Sequence, residues 1–182
     1  MGQDHTLTKA ELRRNKLSRT DFVSQPRHPV TLILDGVRQN YNLGAIFRLC
    51  DGFLVERLVI CGTPVLLRKR KLVAAAAGTH KWVPWQSAAD ARTAIQAVKA
   101  DGYWIAAIEL TADSVPVSAM QPRFPAALVL GGEDTGVSSE ALALCNQSIS
   151  IPMLGMANSL NVATAAAIVL HAIVQYNCTR RS

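Results

Sequence analysis

Three short clusters hold the residues of this chain best suited to chemistry. The first is Asn40-Tyr41-Asn42-Leu43-Gly44-Ala45-Ile46-Phe47-Arg48. It follows an apolar strand and opens a helix, where the Asn42 side-chain oxygen is fit to cap the first turn. Arg48 lies among Ile46, Phe47 and Leu49, and an arginine in that company asks for an anion. A guanidinium grips phosphate or carboxylate with two parallel hydrogen bonds, although an exposed arginine on an amphipathic helix fits the same pattern. The second cluster is Gly131-Gly132-Glu133-Asp134-Thr135-Gly136, directly after Leu128-Val129-Leu130. Glycines at a strand end let a ligand approach the backbone closely, or simply form a turn and helix cap. The spacing is not the dinucleotide fingerprint, no Gly-Lys-Ser/Thr follows to make a P-loop, and two acids oppose phosphate there. The third cluster is Ile151-Pro152-Met153-Leu154-Gly155-Met156-Ala157-Asn158-Ser159-Leu160-Asn161, before an alanine-rich apolar run to Tyr176. One polar residue suffices to cap that helix, so Ser159 and Asn161 together with Asn158 point to a site.

Other chemistries lack their parts. His5, His28, His80 and His171 are scattered, with no metal-ligand spacing, and no Gly-x-Ser-x-Gly occurs. No metal is expected. On the apolar last helix, His171 reads as a packed core or interface residue. Cys50, Cys61, Cys145 and Cys178 match no zinc or redox spacing and read as reduced, mostly buried thiols.

The elements that must position these clusters alternate in type. Val30–Leu34, Arg57–Cys61, Tyr103–Leu110, Ala126–Leu130 and Ser148–Ile151 read as short buried strands. Between them, helices are expected over Leu43–Gly52, Leu72–Ala77, Ser87–Ala100 (Asp90 in its first turn), Ser138–Leu144 and Val162–Tyr176. This alternation implies a parallel sheet covered on both faces, with ligands at the carboxyl ends of the strands. The junctions to inspect are Leu34-Asp35-Gly36, Glu109-Leu110-Thr111, Leu130-Gly131-Gly132-Glu133 and Ile151-Pro152-Met153. Ahead of the sheet, Thr8-Lys9-Ala10-Glu11 fits a capping box for a basic helix to about Ser18, and Ser24–Pro29 reads as a linker. With 182 residues and 49% apolar content, the expectation is one compact domain over 29–182 behind a basic extension over 1–28.

The net charge is +6 and the pI about 9.5. The positive charge gathers in Lys9–Arg27, which includes Arg13, Arg14 and Lys16, and in Arg68-Lys69-Arg70-Lys71. Such patches draw polyanions, nucleic acid foremost, or merely solvate a helix face. No signal peptide is visible, and the apolar run Val162–Val174 is too short to span a bilayer and contains His171. A soluble, cytoplasmic protein with no membrane partner is expected.

The clusters, in this order, resemble the three motifs of the SpoU (TrmH-like) RNA 2'-O-methyltransferases of the SPOUT superfamily. The matching residues are Asn42-Leu43-Gly44-Ala45-Ile46-Phe47-Arg48, Leu130-Gly131-Gly132-Glu133-Asp134-Thr135-Gly136, and Ile151-Pro152-Met153 with Ser159-Leu160-Asn161-Val162. Ala77-Gly78-Thr79-His80-Lys81-Trp82-Val83-Pro84 is similar to the family's Ala-Gly and Val-Pro segment. The resemblance covers roughly Val30 to Tyr176. It implies an α/β, parallel-sheet SPOUT fold with a C-terminal deep trefoil knot, and a homodimer with the site near its interface. It also implies S-adenosyl-L-methionine as cofactor, contacted by Leu110, Thr111, Gly131, Ile151, Ser159 and Leu160. The implied reaction is methyl transfer to a ribose 2'-hydroxyl of tRNA or rRNA. Arg48, Asn42, Glu133, Ser159 and Asn161 would form the catalytic set, with Glu133 orienting Asn42 or Arg48. Because a guanidinium stays protonated, Arg48 is better suited to clamping a phosphate and stabilising an alkoxide than to acting as base. The resemblance makes Arg13, Arg14, Lys16 and Arg68–Lys71 expected RNA-backbone contacts. A base-nitrogen methyltransferase of the same superfamily and a non-catalytic RNA-binding protein of this fold are the alternatives. A nucleotide-binding oxidoreductase lacks its fingerprint.

Overall fold

The computed structural model describes residues 6–14, 16–62, 64 and 67–181. The side chain of Arg13, and His5 entirely, lie outside what is described. The strands are β1 His28–Asp35, β2 Val55–Cys61, β3 Trp85–Ala88, β4 Trp104–Ile108, β5 Val115–Pro116, β6 Ala126–Gly131 and β7 Gln147–Ser150. They form one sheet in the order β3-β2-β1-β6-β4-β7-β5, parallel at every pairing. The helices are α1 Lys9–Arg14, α2 Arg19–Val23, α3 Asn40–Gly52, α4 Arg70–Ala76, α5 Ala91–Ala100, α6 Ser139–Leu142 and α7 Val162–Arg181.

Successive residues of a strand point to opposite faces, so the sheet builds two cores. Val30, Leu32 and Leu34 of β1 join Leu43, Ile46 and Phe47 of α3 and Val169, Leu170 and Ile173 of α7 on one face. Ile33 joins Val59, Ile105, Val129 and Ile95 of α5 on the other. Strands buried on both sides read as unbroken apolar runs, which is why Val30–Leu34 is recognisable in the sequence.

Several boundaries differ from expectation. The basic segment is two short helices. Thr8 and Glu11 form the capping box at α1, with the Glu11 N–H donating to Thr8 Oγ1 at 3.3 Å and the Thr8 N–H to Glu11 Oε2 at 2.7 Å. Ser18 then caps α2 by accepting from the Asp21 N–H. β1 begins at His28, inside the expected linker, and Arg27 donates to Val55 O at 3.1 Å. Ser87 lies in β3, and α5 starts four residues later, capped by Asp90, which accepts from the Thr93 N–H at 2.7 Å. α7 continues past Tyr176, so by length and composition alone it is long enough to cross a membrane. Its buried residues, however, pack on the sheet and α3. His171 is exposed, with its ring edge on Phe53, rather than packed in the core. Cys50 and Cys61 are buried, Cys145 half-buried and Cys178 exposed, and none forms a disulfide.

The Ala77–Pro84 segment braces α3. Ala77 and Gly78 take left-handed φ values of 49° and 91° to end α4, and Thr79 donates to Ala76 O at 2.7 Å. Trp82 Nε1 donates to Asp51 Oδ1 of α3 at 2.6 Å, while Phe47 packs edge-on against His80 and Trp85. This motif therefore holds the helix that carries Asn42 and Arg48.

Candidate functional site

Strands β1, β6, β4 and β7 end together. Asp35 is level with Gly131, Leu130 with Ile108, and Ile108 with Ile149. One edge of the sheet therefore gathers the turns that follow them. Gly131, Leu110, Thr111 and Ile151, expected from sequence to line a cofactor site, all lie along this edge.

Three residues from the three clusters are joined there by hydrogen bonds. Asn42 Nδ2 donates to Glu133 Oε1. Asn42 Oδ1 accepts from Asn161 Nδ2 at 3.1 Å. Asn161 Oδ1 in turn accepts from the N–H groups of Ala163 and Thr164 at 3.0 and 3.4 Å, capping α7. Asn42 is 1% exposed, and both ends of its amide are thereby satisfied. Asn42 does not cap α3, contrary to the expectation from its place in the sequence. Gln39 is the N-cap, without a side-chain bond, and Asn42 sits in the first turn facing Glu133 and Asn161. Of the two partners expected for Glu133, Asn42 is the one bonded to it within this chain.

The second cluster is a tight loop folded onto its own strand. The Gly136 N–H donates to Gly132 O at 2.9 Å. A Cβ on Gly131 would lie 1.9 Å from the Gly136 carbonyl carbon, and Gly136 has φ +64°. The close approach at Gly131 is thus made by the chain itself, as the turn reading of this cluster expects. Carboxylates from the strands on either side of β6 pin the loop. Asp35 Oδ2 accepts from the Ser138 N–H at 2.9 Å, and Glu109 Oε2 from the Val137 N–H at 2.9 Å. The sequence marks both junctions but assigns these side chains no task, since partners 103 and 28 residues away leave no local signal. Gly44 also has a packing task. A Cβ there would meet Leu72 O at 2.4 Å, so glycine lets α4 lie against α3.

Arg48 stands apart from this network. It lies six residues beyond Asn42, about 9 Å along the helix and roughly 120° around it. It is exposed, with no hydrogen bond or ion pair among the described residues. The anion expected beside it is not supplied by this chain's described residues. Ser159 is likewise exposed and without a hydrogen bond among them, whereas Ile151, Leu160 and Thr111 are half-buried and Leu110 is 72% exposed. Arg14, Lys16, Arg68, Lys69, Arg70 and Lys71 are all exposed. No cluster able to hold a metal occurs among the described residues.

The chain matches the model of the SpoU rRNA Methylase family over residues 29–171. The tRNA (guanosine(18)-2'-O)-methyltransferase of Thermus thermophilus is 36% identical over 167 residues, covering 89% of this chain and 81% of that one. The TrmH/SpoU tRNA modifying enzyme of A. aeolicus superposes with a TM-score of 0.79 at 28% identity, over 88% of this chain and 81% of that one. An AdoMet-bound rRNA methyltransferase from Sinorhizobium meliloti superposes with a TM-score of 0.76 at 26% identity, over 85% of this chain and 60% of that one. With this match covering all three motifs and all but the first residue of the sheet, the chain belongs to the SpoU rRNA Methylase family.

Proposed function

We propose that this protein transfers the methyl group of S-adenosylmethionine to a ribose 2'-hydroxyl of tRNA or rRNA. The observation that carries this reading is the Glu133–Asn42–Asn161 network, which ties the three motifs together at the carboxyl edge of the parallel sheet. Two of the relatives, a tRNA 2'-O-methyltransferase and an AdoMet-bound rRNA methyltransferase, support it.

The residues at that edge fit the cofactor. The turn backbones at Thr111, Gly131 and Ile151 and the Leu110 carbonyl offer polar groups, and Ile151, Leu160 and Leu110 offer apolar walls for an adenine. When bound, S-adenosylmethionine supplies a methyl group on a sulfonium, an intrinsically strong donor. The task left to the chain is to align the hydroxyl and stabilise its developing negative charge. Asn42, Glu133 and Asn161 hold the loops, with Ser159 at the lip. Arg48, solvent-facing and without a partner among the described residues, clamps the target phosphate and stabilises the alkoxide. The reading includes a deep trefoil knot in the C-terminal part. Membership of the SpoU rRNA Methylase family supports that part of the reading. It also includes a homodimer, supported by exposed Ile168 on α7 and by an Arg48 without a partner among the described residues.

Methyl transfer to unmodified RNA, followed by alkaline digestion, tests the reaction. A 2'-O-methyl group blocks cleavage, so labelled alkali-resistant dinucleotides are expected. Label released wholly as mononucleotides points to base methylation instead. Arg48→Ala should bind S-adenosylmethionine as wild type by calorimetry, yet lose about 100-fold or more in kcat. Unchanged turnover removes Arg48 from the mechanism.

A further inference from the structure

We propose that Glu109 is the positioning residue that sets the spacing of the cofactor cleft, an inference that rests on the S-adenosylmethionine site proposed above. Glu109 follows the last residue of β4 and is half-buried. Its backbone N–H donates to Ile149 O of β7 at 3.0 Å. Its carboxylate divides between two neighbouring segments. Oε1 accepts from the Leu110 N–H at 3.1 Å, and Oε2 from the Val137 N–H at 2.9 Å. One residue thus touches the three segments that carry Leu110, Gly131 and Ile151. The glycine loop presses closely on it, since a Cβ on Gly136 would lie 2.6 Å from Glu109 Oε2.

The geometry separates this role from general support. β4 is held to β6 and β7 by backbone pairing, which ends at the Ile108 level and at the Glu109 N–H. None of that pairing uses the Glu109 side chain. The carboxylate acts only past the strand ends, where no ladder fixes the 109–111 turn against the 131–137 loop. A carboxylate is suited to the place because both atoms facing it are N–H donors. A carboxamide turns one donor of its own towards an N–H and keeps a single acceptor.

Calorimetry and steady-state kinetics on the full chain with S-adenosylmethionine and unmodified RNA test this. Glu109→Ala should raise both the Kd and the KM for S-adenosylmethionine by about 10-fold or more, with kcat within about 3-fold and the KM for RNA unchanged. Glu109→Gln should fall between Ala and wild type. Gly136→Ala pushes the carboxylate off Val137 while leaving its charge, and should give the same signature even if Glu109→Ala fails to fold. Wild-type cofactor affinity in these variants overturns the role of Glu109, as does a fall in kcat with KM unchanged. A wild-type protein that does not bind S-adenosylmethionine in the same titration overturns the site itself.

Discussion

Asn161 carries two duties that one substitution can separate. Its side-chain oxygen caps α7, and its amide nitrogen donates to Asn42, which donates in turn to Glu133. Asn161→Asp keeps the cap, because a carboxylate accepts from the first-turn N–H groups and suits the positive end of the helix dipole. It destroys the bond to Asn42. Whichever way the buried Asn42 amide then turns, its oxygen faces a carboxylate, either Asp at 161 or Glu133. Solvent on the exposed side of Glu133 screens part of that repulsion. Helix capping should therefore survive, with total stability within about 2 kcal/mol of wild type in urea titration. Methyl transfer should nevertheless fall by about 10-fold or more, because the loop carrying Glu133 loses its register with α3. If Asn161→Asp proves as active as wild type, the link to Asn42 does not contribute to the site.

Among the elements, α4 best shows charge placed against local stability. Lys69 is its N-cap and Arg70 and Lys71 open its first turn, where the helix dipole favours anions. None of these side chains, nor Arg68, has a hydrogen bond or ion pair among the described residues. Cations so placed weaken the helix slightly, so a benefit elsewhere explains them better than folding does. Replacing Lys69, Arg70 and Lys71 by Ala should leave the fold as stable or stabilise it by a few tenths of a kcal/mol per residue at low salt. RNA binding should weaken, and the slope of log K against log salt should become shallower by about 0.7–0.9 for each phosphate no longer neutralised. An unchanged slope removes this segment from the RNA surface. α4 was legible in the sequence because Leu72 and Ala76 repeat at helical spacing on its buried face. β3 and β5 were not. β3 has exposed Gln86 and Ser87 between half-buried ends, and β5 is two residues long, so neither shows strand periodicity. The displaced start of α5 has the same origin, since Ser87 and Asp90 are both good caps and only pairing of β3 with β2 assigns Ser87 to a strand.

For the whole molecule, topology brings together what the chain holds far apart. Asn42 meets Glu133 across 91 residues and Asn161 across 119; the family resemblance offered Asn42 or Arg48 as the partner of Glu133, but nothing in the spacing pointed to the bond between Asn42 and Asn161. The same sheet divides the interior into two layers, and a buried thiol lies in each, Cys50 beside α7 and Cys61 beside α5. This gives the fold a defined weakness to alkali. Burial drives the Cys50 thiol far up. Burial, reinforced by Asp35 and Asp90, pushes Cys61 up to about 12, and burial pushes Cys145 up to about 11, against an ordinary value of 9.0. Partial burial and the hydrogen bond to Glu56 raise the Tyr103 phenol as well. In each case the folded value exceeds the unfolded one, so above about pH 9 the unfolded chain releases these protons first. The thiol contribution is fully present below that pH and is lost as pH rises towards 12. Urea midpoints measured under reducing conditions from pH 7.5 to 10.5 should stay level at first and then fall. Cys61→Ala creates a small cavity and starts lower, but removes one of the titrating groups, so its midpoint should fall less steeply above pH 9. Parallel curves for the two proteins would assign the alkaline loss to other groups, Tyr103 first among them. A shallower curve for the variant, with the Tyr103→Phe curve still steep, places the weakness at the Cys61 thiol, on β2 in the layer with α5.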